Sequence, residues 1–251
     1  MCIGGEPTQA MTIRLAMWSG PRNISTAMMR SWENRADCEV IDEPFYACYL
    51  AETGLEHPCR DAILRSQPSN LETVIDQLLA HTASPIFYQK HMTHHMPDGC
   101  DMVWAEALTH VFLIRSPTQV IASYLNKMPT VNAADIGITR QLALFEELSD
   151  MQGKRPPVID GADVLRAPSS VLGKLCAELK VDFPEKSMTQ WPRGGRNSDG
   201  IWASHWYQDV MASTGFSAPR QATLSLSGEA QALADAMEPY YQKMARYKLD
   251  A

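Results

Sequence analysis

The stretch "AMWSGPRNISTAMMRSW", residues 16–32, runs from apolar residues through Ser19-Gly20-Pro21-Arg22 into a second apolar pattern. Ala27, Met28, Ser31 and Trp32 share one helical face, so the spacing predicts a strand over 12–18, a loop, and a helix over 23–35. A strand-to-helix turn aims several backbone N–H groups outward at the positive end of a helix, which makes a ready anion site. Arg22 adds a fixed charge to that turn, and Ser25 and Thr26 add hydroxyl donors. The same residues also suit a plain turn followed by a capped first helical turn. A nucleoside-triphosphate loop GxxxxGK[ST] requires a second Gly and a Lys directly before the Ser/Thr. Here Asn23 and Ile24 stand near those places.

Working outward, "CEVID" (38–42) reads as a second strand, "PIFYQKH" (85–91) as a third, "THVFLIR" (109–115) as a fourth, and "PPVIDGADVL" contains a fifth. Helical patterns lie between them, at "NLETVIDQLLAH", "ITRQLALFEELSDMQG" (138–153) and "PSSVLGKLCAELKV". Strands alternating with helices predict an α/β domain around a parallel sheet. A terminal helix is expected over "GEAQALADAMEPYYQKMARYKL", bent or divided by Pro239. Residues 190–228, rich in Gly, Arg, Trp and Ser, read as a long surface segment over a site.

The chain has 251 residues, 45% hydrophobic and 20% charged, which fits one folded domain over 12–251 behind a flexible tail at 1–11. A net charge of −7 excludes general nucleic-acid binding, which needs a basic face to displace counterions. The six cysteines form no CxxC pair, so they read as reduced thiols of a cytoplasmic protein. The N-terminal "MCIGGEPTQA" lacks the basic and apolar regions of a secretory signal, and no apolar run is long enough to span a membrane. Nothing in the sequence marks an oligomeric state.

"FLIRSPTQVIASY" repeats the strand, loop and helix pattern, with Pro117 near the helix start, where its missing N–H costs nothing. It sets Arg115 at a strand end and Ser123 about two helical turns further on. Those two could clamp one phosphate, or be a surface Arg and a packing Ser. Together, the loop at 19–26 and this second motif resemble the sulfotransferases that use 3′-phosphoadenosine 5′-phosphosulfate (PAPS). The resemblance implies a three-layer α/β/α fold with a central parallel sheet, of the P-loop nucleotide-hydrolase type. It implies that Gly20, Arg22, Asn23, Ile24, Ser25 and Thr26 hold the 5′-phosphosulfate and that Arg115 and Ser123 grip the 3′-phosphate. A late Arg/Lys-Gly segment of that family is matched loosely by Arg193, Gly194 and Arg196. The chain departs from the family in lacking a Gly before the Ser-Thr pair and in carrying Arg22 where cytosolic members carry Lys. Arg is the better planar donor but gives up no proton, so Arg22 would act as an electrostatic clamp.

Sulfuryl transfer to an alcohol or amine needs a base for the acceptor's proton. Asp42 and Glu43 end the second strand, beside the first loop's mouth in a doubly wound sheet. A Glu in this region serves as base in the carbohydrate-directed and bacterial branches, which makes Glu43 the expected base; His91 or His94 is the alternative, as in the cytosolic branch. Both carboxylates also suit a helix cap and a solvated charge. Lys90 is expected to stabilise charge at the sulfuryl group. Trp202, His205, Trp206 and Tyr207 line an acceptor pocket, stack on adenine, or form a packed cover. The resemblance needs no metal and takes a small-molecule acceptor, polyanionic glycans being disfavoured by the acidic surface. Two other readings remain: an ATP-dependent small-molecule kinase, against which the altered loop counts, and a nucleotide-binding module without turnover.

Overall fold

Five short apolar runs pair into one all-parallel sheet: β1 (Ile13–Ser19), β2 (Cys38–Asp42), β3 (Ile86–Met92), β4 (Thr109–Ile114) and β5 (Val158–Asp160), in the order β2-β3-β1-β4-β5. The computed structural model describes residues 12–217, 226 and 228–251; the tail expected at 1–11 lies outside them. Side chains of successive strand residues point to opposite faces, and here both faces are buried. Leu15 and Met17 of β1 join Val111 and Leu113 of β4 in one apolar cluster, while Ala16 and Trp18 join Phe112 and Ile114 in the other. Helices cover both faces, so the molecule has three layers.

In chain order the helices are α1 (Ser25–Glu33), α2 (Tyr46–Thr53), α3 (Arg60–Ser66), α4 (Leu71–Leu79), α5 (Pro117–Leu125), α6 (Ala133–Ile136), α7 (Ile138–Gln152), α8 (Gly161–Arg166), α9 (Pro168–Glu178), α10 (Glu185–Thr189), α11 (Ala203–Trp206), α12 (Gln208–Met211) and α13 (Gly228–Ala245). The first of these is shorter than expected at both ends. Ile24 sits at φ 49°, a left-handed conformation that cannot belong to a right-handed helix, so α1 starts at Ser25. Pro239 does not divide the terminal helix, which runs unbroken past it. Beyond that helix Leu249 donates its N–H to the Val158 carbonyl at 2.8 Å, so the chain end covers the edge strand β5.

The strand order places the site. From β1 the chain crosses toward β2, and from β4 it crosses the other way toward β5. Ligands in open α/β sheets bind at such a switch point, outside the carboxyl ends of the strands. The loop at 20–24 and Arg115 both stand there.

The core under β1 and β4 holds two neutral imidazoles. Trp18 Nε1–H donates to His110 Nδ1 at 3.1 Å, and His91 stacks on Trp18 at 4.3 Å between ring centroids. Burial pushes His91 down to about 3 and His110 to about 4. An unfolded chain protonates these groups near their ordinary 6.5 and the folded chain does not, so stability is complete above that pH and is lost as pH falls below it. At pH 5 the loss should be about 2 kcal/mol per histidine. Urea unfolding at pH 7 and pH 5 checks this: His91→Asn should show a shallower pH dependence than wild type, whatever its stability at pH 7.

Candidate functional site

The first loop is strained where the sequence lacks glycine. Arg22 (φ 55°) and Ile24 (φ 49°) both take the left-handed conformation on either side of Asn23. Paired left-handed and right-handed residues aim successive N–H groups into one concavity, which suits an anion. The N–H groups of Ile24, Ser25 and Thr26 donate to no acceptor among the described residues, and α1 has no side-chain cap. Asn23 turns its side chain into the protein: Nδ2 donates to the Leu113 carbonyl at 2.6 Å, which ties the loop to β4. Gly20 is required by close approach, because a Cβ there would stand 2.9 Å from the Ile136 carbonyl oxygen of α6.

Arg22, Arg115 and Ser123 form one cluster. Arg22 Nε donates to Ser123 Oγ at 3.1 Å, while Arg115 donates to the Arg22 carbonyl and, through Nε, to Gln119 Oε1 at 3.1 Å. Burial lowers the pKa of both guanidiniums, and the charge of Arg22 lowers that of Arg115 further. Neither forms a salt bridge among the described residues. Two neighbouring cations without a paired carboxylate, beside free N–H groups, form a site that fits a multiply charged anion.

Across the sheet edge lies a second charged group. Glu43 follows β2 in a left-handed conformation (φ 42°), held by its N–H to the Lys90 carbonyl at 3.0 Å and by Tyr46 N–H to its own carbonyl at 3.1 Å. Lys90, only 1% exposed, donates to Asp42 Oδ1 at 2.9 Å, Glu43 Oε1 at 2.7 Å and Tyr207 Oη at 2.5 Å. Burial alone would lower the Lys90 pKa, but the two carboxylates outweigh it and raise it. Burial raises the pKa of Glu43, opposed by Lys90 and reinforced by Asp42.

The expected site residues thus fall into two groups and a remainder. Gly20, Arg22, Asn23, Ile24, Ser25, Thr26, Arg115 and Ser123 gather at the switch point, and Glu43 and Lys90 gather at the ends of β2 and β3. All three ammonium protons of Lys90 are engaged by neighbours, which leaves none for a sulfuryl oxygen. Arg193, Gly194 and Arg196 stand apart: Arg196 donates to the carbonyls of Pro192, Gly194 and Gly195 and faces Glu33, at the opposite end of α1 from the loop. Arg193 is exposed, and the N–H of Gly194 is taken by the Met211 carbonyl at 2.9 Å. His91 is buried under Trp18; His95 is stacked between Tyr46 and Tyr49, with His94 against the edge of Tyr49. Asp42 and Tyr207 were not singled out by sequence as partners of Lys90. An Asp-Glu pair and a Lys at adjacent strand ends carry that signal, since buried charges are found paired.

Fold and site together define a three-layer α/β protein with an anion-suited loop at the carboxyl ends of its strands. A family model described as a sulfotransferase domain matches residues 13–247, and the chain belongs to that family. Two Arabidopsis thaliana proteins, branched-chain-amino-acid aminotransferase-like proteins 1 and 2, are 35% and 32% identical over 205 residues, 81% of this chain. The chain spans only 36% of the length of either relative, whose names describe the longer proteins. Among solved structures, the sulfotransferase domain of the curacin biosynthetic pathway aligns with a TM-score of 0.55 at 15% identity, covering 96% of this chain and 100% of its own. The sulfotransferase domain of the Synechococcus PCC 7002 olefin synthase gives 0.53 at 15%, with 98% and 99% covered. At that identity they show a shared fold.

The left-handed Ile24 reverses a usual order of stability. Left-handed backbone costs a residue with a Cβ about 1–2 kcal/mol and costs Gly little. Ile24→Gly and Ile24→Ala lose nearly the same side chain, but only the first relieves the backbone. In urea unfolding Ile24→Gly should be the more stable of the two by about 1 kcal/mol; an equal or lower midpoint than Ile24→Ala would refute the strain.

Proposed function

We propose that this chain transfers a sulfuryl group from PAPS to a hydroxyl or amine of a small-molecule acceptor, in line and without a metal. The observation that carries the reading is the pair of guanidiniums, Arg22 and Arg115, standing without carboxylate partners beside the free N–H groups that open α1. Family membership supports it. The loop from Gly20 to Thr26 would hold the 5′-phosphosulfate, Arg115 and Ser123 the 3′-phosphate, and Arg22, bonded to Ser123, would serve both. Bound there, PAPS supplies a sulfuryl group activated by its phosphate leaving group.

The side chains do the rest. Positioning and charge neutralisation dominate this kind of transfer, as in phosphoryl transfer. Glu43 accepts the acceptor's proton while Lys90 holds its Oε1. Burial raises the Glu43 pKa toward the range where a carboxylate is an effective base. We read residues 12–251 as one domain in a reducing, cytoplasmic setting, in keeping with the five unpaired cysteines among the described residues. No helix among those residues is long and apolar enough to cross a membrane.

Calorimetry with 3′-phosphoadenosine 5′-phosphate, and with ADP in the presence and absence of Mg²⁺, tests the nucleotide class. Binding should be metal-independent and need the 3′-phosphate, and Arg115→Ala should weaken it about 10- to 100-fold, the value of a charge-assisted hydrogen bond. Tighter binding of Mg²⁺-ADP, or an indifferent Arg115→Ala, would overturn the proposal and favour a kinase.

Glu43→Gln separates catalysis from binding. It should lower kcat by about 10²–10⁴-fold and leave affinity for the nucleotide unchanged. Wild-type kcat should fall as pH drops through the raised Glu43 pKa, where the base becomes protonated; a flat acid limb would exclude Glu43 as the base.

A further inference from the structure

We propose that Tyr207 is a positioning residue for the base: with Asp42 it orients Lys90 so that the ammonium fixes Glu43 Oε1 and leaves Oε2 to take the acceptor's proton. The inference rests on the reading of Glu43 as the base.

Counting protons gives the direction of every bond. Trp202 Nε1–H donates to Tyr207 Oη at 2.9 Å and Lys90 Nζ donates to the same oxygen at 2.5 Å. An indole N–H and an ammonium only donate, so the hydroxyl accepts twice and gives its single proton to Asp42, whose Oδ2 lies at 2.7 Å. Asp42 also accepts from Lys90 at 2.9 Å and from the Gly200 N–H at 3.0 Å. Lys90 spends its three protons on Asp42, Glu43 and Tyr207. The one carboxylate oxygen of the group without a partner among the described residues is Glu43 Oε2, on a side chain that keeps 11% exposure.

Two carboxylates therefore share one buried cation. The other titratable groups facing them are Tyr46 from α2, Tyr88 from β3 and His95 from the turn after β3; burial keeps both tyrosines protonated and the imidazole neutral, so none supplies a second charge. The hydroxyl of Tyr207 takes up part of the demand of Asp42, which frees Lys90 to serve Glu43. The segment that leads into Tyr207 is held at two places. Arg30 of α1, 1% exposed, binds Asp199 at 2.6 Å, and Gly200 lies flat on the Trp202 indole, where a Cβ would come within 2.0 Å of the ring.

The two isosteric variants pull Glu43 in opposite directions. In Tyr207→Phe, Asp42 loses a donor and draws harder on Lys90, so Glu43 is harder to ionise. In Asp42→Asn, the rival anion is gone and Glu43 keeps the whole cation. Carboxyl ¹³C NMR titration of the full chain, with the Glu43 signal assigned by Glu43→Gln, reads this directly. Tyr207→Phe should raise the Glu43 midpoint and carry the acid limb of kcat upward with it. Asp42→Asn should lower both, with affinity for 3′-phosphoadenosine 5′-phosphate unchanged in each. A purely structural role would lower the unfolding temperature without moving the midpoints apart. If Asp42→Asn does not fold, Trp202→Phe serves as the second arm, with a smaller upward shift expected. Midpoints that stay put, or move the same way in Tyr207→Phe and Asp42→Asn, overturn the proposal. Midpoints that separate while kcat ignores them overturn the reading of Glu43 as the base.

Discussion

Lys90 carries a full charge into the interior between two strand ends, and the parts of the site on that side are arranged around it. A buried ion costs several kcal/mol in desolvation unless its partners are close and its protons are all engaged. The partners come from three places in the chain: Asp42 and Glu43 after β2, and Tyr207 from the turn between α11 and α12. That requirement explains why residues 199–207, which have little helical or strand periodicity, hold a defined path across the top of the sheet. It also explains how Glu43 keeps a left-handed backbone: its N–H and carbonyl are bound at both ends, and its carboxylate is anchored to Lys90.

The anion side of the site follows the opposite logic. Arg22 and Arg115 are held near one another without a salt-bridged carboxylate, the charges of Asp209 and Asp160 acting on them only from further off. On the proposed reading, a multiply charged phosphate would relieve their mutual repulsion and satisfy the open N–H groups of α1 in one step. Ile24 in a glycine conformation belongs to the same account. Strain of this kind persists where the surroundings over-determine the backbone; here Asn23 is bonded to β4 and Gly20 is pressed against α6.

Four of the strands were legible because their apolar runs are short, bounded and largely buried on both faces, as with "THVFLIR", and only the edge strand β2 is mostly half-buried. The loop and Arg115 were legible because each is fixed by a local strand-to-helix pattern that the sheet then brings together. What local pattern could not reveal is pairing across distance. Tyr207 meets Asp42 from 165 positions away, and nothing near Tyr207 distinguishes it from Trp206, which packs in the same apolar cluster and takes no hydrogen bond from Lys90. The Arg193–Arg196 stretch shows the converse. Its composition suits a phosphate, yet Arg196 is turned back onto the carbonyls of its own turn. Pro239 was expected to bend or divide the terminal helix and does not divide it, because a helix tolerates proline where packing holds the flanking turns, and α13 packs along α5 and α7.

The segment from Asp199 to Tyr207 touches both halves of the site. At one end Asp199 closes an ion pair with Arg30, in the last turn of the same helix that follows the first loop. At the other end Tyr207 completes the coordination of Lys90, and through it of Glu43. A rigid helix transmits any displacement of its first turn to its last, so a shift of α1 on filling the loop would reach Asp199 through a buried contact rather than through solvent. Glu43 and the first loop are therefore joined by one continuous set of packed and hydrogen-bonded groups. Their relative position is set by the protein itself, which is what the proposed in-line transfer between two separately held molecules would demand.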